Sequence, residues 1–127
     1  MLVHCYGYYG LSYEIAFNNT YWAALENGWS LAYAHVRGGG EKGIRWHKQA
    51  TKGLRSRNWT DLEDCVAYLI QKGYTHPNVM VLSSHSAGSI TIWNIINRNP
   101  HLFKAVVMNY PFLDVLGLLL DSSQPLT

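Results

Sequence analysis

Short apolar runs alternate with amphipathic stretches along the chain. Residues 2–6 have the composition of a buried strand and lead into a Gly- and Tyr-rich turn at residues 7–10. Residues 20–27 read as a helix that Gly28 stops. Residues 29–36 are rich in β-formers and run into a glycine loop at 37–43. Leu62, Cys65, Val66, Leu69 and Ile70 then recur on one helical face, and Gly73 supplies the stop. Thr60-Asp61-Leu62-Glu63 fits a capping box at the start of that helix. Residues 79–82 form a continuous apolar run, the pattern of a strand covered on both faces. Residues 88–97 read as helix, 105–108 as another buried strand and 114–120 as a last helix. The alternation predicts an α/β fold: a mainly parallel sheet with helices on both faces, a three-layer sandwich.

Composition narrows the picture. With 127 residues, 48% hydrophobic and only 14% charged, the chain has one domain's worth of core and is not disordered. The net charge of +2 is too small to argue for nucleic acid. Two cysteines, Cys5 and Cys65, cannot build a disulfide framework and share no metal spacing with the histidines; core thiols are the expectation. No stretch reaches the ~18 apolar residues of a membrane span, and the first residues lack the basic and apolar regions of a signal peptide. A cytoplasmic protein with no membrane partner, no metal and no cofactor is therefore expected. The strand-like beginning and the loop-like end lead us to expect the middle portion of a larger domain.

The strongest chemical signal is Ser84-His85-Ser86-Ala87-Gly88, between a buried strand and a helix. A nucleophile elbow needs a turn sharp enough to project its central side chain from the sheet edge, with small residues around it. Ser86 is the candidate nucleophile; the competing reading is a helix cap. A serine nucleophile needs a base and an orienting acid. After Ser86 the chain offers only His101, Asp114 and Asp121, with His101 ahead of both acids. His85 is adjacent in sequence, but a sharp turn sends neighbouring side chains apart. The chain thus lacks two thirds of a triad.

Two further patterns compete for attention. Residues 38–43 contain G-x-G-x-x-G, but no apolar helix follows, so a dinucleotide site is rejected. Seven of the ten basic residues lie between positions 37 and 57, with Trp46 and Trp59 in or beside the run. A phosphate-binding stripe has this look, but a solvated loop segment on the surface is preferred. The sequons at Asn18 and Asn58 carry little weight without a secretion signal.

Taken together, Tyr6-Gly7-Tyr8-Tyr9-Gly10, Val36-Arg37-Gly38-Gly39-Gly40-Glu41-Lys42-Gly43, Trp46-His47, Asn58 to Asp64, Leu69-Ile70, Gly73-Tyr74-Thr75, Ser86-Ala87-Gly88, Asn99-Pro100-His101-Leu102-Phe103 and Pro111-Phe112-Leu113-Asp114-Val115 resemble the catalytic domain of the prolyl oligopeptidase family of serine peptidases. Residues 119–127 look most like the oligopeptidase B and prolyl endopeptidase-like branch. The resemblance implies a partial α/β-hydrolase fold acting on short peptides or acyl esters. It implies Ser86 as nucleophile, the Ala87 N–H as half of the oxyanion hole and the Tyr6 hydroxyl as the other half, with Tyr8 as rival. It places the family's Asp and His, and its propeller domain, outside this stretch, so the rest of the hydrolase domain is an expected partner. Ser84-His85 stands where two small residues are usual, which leaves esterase or thioesterase chemistry open beside peptide cleavage. A non-catalytic remnant is the third reading.

Overall fold

The computed structural model describes residues 1–14, 16–17 and 19–124. Four parallel strands form one sheet: β1 (Leu2–Cys5), β2 (Leu31–Ala34), β3 (Val81–His85) and β4 (Ala105–Asn109), in the order β2-β1-β3-β4. Five helices connect and cover them: α1 (Asn19–Glu26), α2 (Ile44–Lys48), α3 (Ser56–Gln71), α4 (Gly88–Arg98) and α5 (Val115–Leu120). The expected α/β fold with a parallel sheet is what the chain adopts. All four carboxyl ends point to one edge, because each strand returns through a crossover.

One face of the sheet carries the core. Val3 and Cys5 of β1, Ala34 of β2 and Leu82 of β3 pack against Leu62 and Val66 of α3 and Ile92 and Ile95 of α4. The apolar spacing read from residues 62–70 is the face that α3 buries here. The other face is covered by rings: His4 is buried beneath Tyr33 of β2, Tyr21 of α1 and Tyr13, with centroids 5.3, 4.8 and 6.3 Å away. Further along that face, Val107 of β4 is 46% exposed.

Two local expectations are corrected. The helix expected to begin with a capping box at Thr60 begins at Ser56, so Thr60 lies inside α3 and its hydroxyl donates to the Arg57 carbonyl at 3.1 Å. Glu63 instead accepts from Arg98 Nε at 2.8 Å and Asn99 Nδ2 at 3.0 Å, tying α3 to the end of α4. Spacing alone cannot tell a capping box from Thr and Glu one turn apart inside a helix. The stretch after residue 43 also holds α2 and a 3-10 turn, Lys52–Leu54, where a loop was expected. Trp46 on α2 explains the difference: its indole N–H donates to the Val36 carbonyl at 3.0 Å and docks the short helix.

The residue that organises the loops is Asn58, fully buried on α3. Its Nδ2 donates to the carbonyls of Gly7 at 2.7 Å and Arg37 at 2.8 Å, and its Oδ1 accepts from the Thr91 hydroxyl of α4. It joins the loops after β1 and β2 to both core helices. Asn58→Ala strands two carbonyls and a hydroxyl, each costing about 1–3 kcal/mol when buried. We expect a loss of at least about 3 kcal/mol in urea unfolding.

His4 adds a pH dependence. Burial, with His85 as a smaller contributor, lowers its pKa from 6.5. The fold therefore favours neutral His4, and the unfolded chain takes up its proton first as pH falls. Stability is fully present above pH 6.5 and drops as pH falls through the lower folded value. Urea unfolding between pH 8 and 5, roughly spanning this window, should show a smaller acid loss in His4→Phe than in the parent.

Candidate active site

Ser86 sits in the turn between β3 and α4 with φ 47°, in the left-handed region that side chains other than glycine avoid. Two neighbours hold it there. Its N–H donates to the Asn109 carbonyl at the end of β4, at 3.0 Å, and its carbonyl accepts from Phe112 N–H at 3.2 Å. An outlier so over-determined marks a functional turn more than a simple cap. The next residue, Ala87, is buried at the head of α4, and its N–H has no acceptor among the described residues. That N–H is a preformed donor beside the Ser86 hydroxyl.

Ser84, in the place of a usual glycine, is accommodated by a hydrogen bond: its buried hydroxyl donates to the Cys5 carbonyl of β1 at 2.5 Å. The space it fills comes from Gly88, where a Cβ would lie 2.3 Å from Ser84 Oγ and 3.0 Å from Tyr6 Cα. The elbow therefore tolerates Ser84 only because Gly88 has no side chain.

Tyr6 follows β1 and packs beside Gly88 at the start of α4. Its ring stacks on exposed His85, 4.8 Å between centroids and 16° between planes. Burial, and then the Tyr9 phenol, raises the Tyr6 pKa above that of a free phenol. The hydroxyl stays protonated and remains a donor. Tyr8, the rival, turns its ring toward the Ser86 cavity but buries its Oη, and burial is the main cause of its raised pKa. The sharp turn does separate His85 from the serine: its ring goes to Tyr6, and it does not line the Ser86 cavity.

The cavity in front of Ser86 has a volume of about 620 Å³, and its wall includes Tyr9, Arg55, Trp59, Phe112 and Leu118. No histidine or carboxylate is among its described lining residues. His101 lies in the 3-10 turn after α4, beyond that helix's 11 residues, so about 16 Å of helix separates it from the elbow. Asp114 is occupied as the cap of α5, accepting from Gly117 N–H at 2.9 Å.

The glycine loop is a clasp between backbones, in keeping with the rejected dinucleotide reading. A Cβ at Gly38 would sit 2.2 Å from the Gly7 carbonyl oxygen, and one at Gly40 2.1 Å from that of Gly10. Gly10 N–H donates to Gly38 O at 3.0 Å, and Gly40 N–H to Leu11 O at 3.0 Å. The basic run is divided among separate tasks. Arg37 grips Asp61 with both Nε and Nη2, Lys42 lies 4.6 Å from the Trp46 ring centre, and Arg55 lies 4.5 Å over the Tyr8 ring.

Sequence reasoning missed Asn58, Arg55, Tyr9 and Trp59 as parts of this site. A signal for Asn58 existed: it lies four residues before Leu62 and eight before Val66, on the stripe that α3 buries. A polar residue on an apolar stripe demands a buried partner. Nothing in the local pattern marks the other three, because the loop after β1 and the start of α3 meet only in the folded chain.

Comparison with known proteins gives a consistent result. The profile of the Prolyl oligopeptidase family matches residues 14–127. The chain is 39% identical over 127 residues to "Prolyl endopeptidase-like" of Rattus norvegicus, and covers all of itself and 18% of that relative. It is 33% identical over 127 residues to "Dipeptidyl aminopeptidase BI" of Pseudoxanthomonas mexicana, again 18% of the relative's length. Among solved structures, oligopeptidase B from Trypanosoma brucei with covalently bound antipain matches 99% of this chain and 18% of its own, at 34% identity and a TM-score of 0.92. The chain thus spans under a fifth of the length of these relatives.

The packing around the elbow can be tested directly. Gly88→Ala should lower the unfolding free energy by about 1–3 kcal/mol, as overpacking does in a rigid site. In a Ser84→Gly background that cost should shrink, since the shortest of the three close contacts is gone and the two to Tyr6 remain; thermal melts of the four proteins in the cycle provide the check.

Proposed function

The chain belongs to the prolyl oligopeptidase family of serine peptidases, and we propose that it carries the nucleophile half of that active site. Ser86 forms an acyl-enzyme, while Tyr6 and the Ala87 N–H hold the oxyanion. The observation that carries this reading is the position of Ser86: a non-glycine residue at φ 47°, tied to Asn109 and Phe112, opening on a cavity of about 620 Å³.

The chemistry follows from the arrangement. Ser86 Oγ attacks the substrate carbonyl carbon as its proton passes to a base. The carbonyl oxygen gains negative charge and moves toward the donors proposed for it, the Ala87 N–H at the cavity wall and the Tyr6 hydroxyl, whose residue lines the adjoining cavity with His85. Fixed donors need no reorganisation as charge develops, which is the source of their effect. Collapse of the tetrahedral intermediate expels the amine or alcohol and leaves an ester on Ser86 for water to hydrolyse. No described residue at the cavity takes the proton, so the base and its orienting acid are assigned to other parts of a hydrolase domain. We read this chain as the middle portion of such a domain, in a cytoplasmic protein that acts on short peptides. The exposed leucines of α5, with Leu116 at 74% and Leu120 at 80%, support a larger domain, and the two free thiols support the compartment.

His85 favours a second reading, an esterase or thioesterase. Its ring stays out of the Ser86 cavity and stacks on Tyr6, so it replaces a small residue of the family pattern with a brace on the proposed oxyanion phenol, and a different acyl substrate would fit such a change.

The test uses a fluorophosphonate probe on the protein from its native source. Mass mapping should place the label on Ser86, and Ser86→Ala should remove it. Tyr6→Phe should slow turnover of a peptide ester roughly 10²–10³-fold, the loss expected for one oxyanion donor. Tyr8→Phe should cost far less. The 127-residue chain by itself should hydrolyse nothing above the Ser86→Ala blank. A native protein that leaves Ser86 unlabelled would overturn the reading. Faster turnover of a thioester than of the matching peptide would select the second.

A further inference from the structure

Arg55 carries the only formal charge among the described residues that line the Ser86 cavity. It stands at the head of α3, half-buried, and makes no ion pair or side-chain hydrogen bond among the described residues. Arg37 is paired with Asp61 and Arg98 with Glu63; Arg45 and Arg57, like Arg55, form no ion pair among the described residues, but of the three only Arg55 lines this cavity. The Nη1 of Arg55 is already shut from solvent without an acceptor. A partly desolvated guanidinium with no counter-charge is costly to keep, and an incoming anion would relieve the cost.

We propose that the Ser86 cavity binds carboxylates and that Arg55 is their anchor, which gives the site a preference for substrates with a carboxylate near the reacting carbonyl. The proposal rests on reading Ser86 as the reactive group. Three observations support it. The guanidinium carbon lies over the Tyr8 ring, 4.5 Å from its centre, so the cation is held in place before a planar oxyanion arrives. The surrounding wall is aromatic and aliphatic, from Tyr9, Trp59, Phe112 and Leu118, and its other polar side chains, such as Asn94 and Gln124, are neutral amides or hydroxyls. An ion pair formed against such a wall is less screened than one at the surface.

The third observation is the charge around the anchor. Residues 42–60 include no acid, while Lys52 and Arg57 flank Arg55. Asp61 is engaged by Arg37, and Asp114 by the cap of α5. Asp121, outside the lining, is engaged by Ser123 and by Gln124 of the wall, so a cationic substrate at Arg55 meets repulsion, and discrimination comes as much from that rejection as from attraction. The part of the basic run that faces the cavity thus has a use independent of nucleic acid.

Binding can be read without turnover, from the Trp59 indole N–H signal in two-dimensional NMR, assigned through Trp59→Phe. Four ligands are titrated: N-acetylphenylalanine, its neutral amide, N-acetylglutamyl-phenylalaninamide and N-acetyllysyl-phenylalaninamide. At least one acid should bind about tenfold or more tighter than the amide, roughly 1.4 kcal/mol, and the lysyl peptide should bind weakest. Preference for the first acid identifies a peptide's C-terminal carboxylate as the ligand; preference for the second identifies an acidic side chain. Arg55→Met should erase the preference, Arg55→Lys should keep part of it, and unchanged sheet amide signals show that both are folded. Equal binding of acids and amide, or a preference that survives Arg55→Met, overturns the proposal. Repeating the titration in Ser86→Ala separates the two ideas, because the preference should persist there whether or not Ser86 is reactive.

Discussion

The carboxamide of Asn58 is the constraint from which the rest of the site follows. Within one fully buried side chain it satisfies the carbonyls of Gly7 and Arg37 and receives the hydroxyl of Thr91. The two loops it holds lie so close that a Cβ at Gly7 would fall 2.2 Å from its own Nδ2, and one at Gly38 would meet the Gly7 oxygen. The glycines are therefore required by contact between main chains. Both also take positive φ, 72° at Gly7 and 101° at Gly38, which a side chain would resist even in open space. Because the loop after β1 carries Tyr6 and Tyr8, and α4 carries the elbow, the clamp sets where a phenol can stand relative to Ser86.

The elbow is over-determined in the same way. Strand β3 delivers Ser84, whose hydroxyl pins the turn to the Cys5 carbonyl, while Ser86 is held from the opposite side by Asn109 and Phe112. A non-glycine residue in the left-handed region costs about 1–3 kcal/mol, and those hydrogen bonds offset it. Parallel pairing makes this possible: β1, β3 and β4 run side by side, so their carboxyl-terminal loops meet at one edge. The turns brought together there can brace one another without any long connecting structure.

How much of this was legible depended on whether the information was local. Strand β3, the elbow and α4 are contiguous, and an apolar run followed by small residues and a helix announces them without knowledge of the rest. The stripe of α3 was legible for the same reason. Its start was not, because the capping-box pattern at Thr60 and Glu63 also fits two residues one turn apart, and Glu63 was bound for Arg98 and Asn99. Arg55, Tyr9 and Trp59 were invisible as a group: 46 residues separate Tyr9 from Arg55, and only the clamp brings them to one cavity. The glycine run at 38–43 was readable as a loop, but its partner, the loop at 7–10, was not.

The division of the chemistry follows from the same geometry. Under the proposed reading, nucleophile and oxyanion donors must be fixed to within a fraction of an ångström of one another, and Tyr6, Ser86 and Ala87 follow two adjacent strands, β1 and β3. A general base must instead be able to move a proton between two partners, and it can approach from a separate segment, provided that segment reaches the same sheet edge. The cavity wall, with no carboxylate among its described residues and Arg55 unpaired among them, has a consequence for such a segment. An acid brought near Arg55 would be captured as its counter-ion, held by the fixed guanidinium and unable to orient an imidazole. Under the proposed reading, an orienting acid would then approach away from Arg55, leaving the cation free for the substrate.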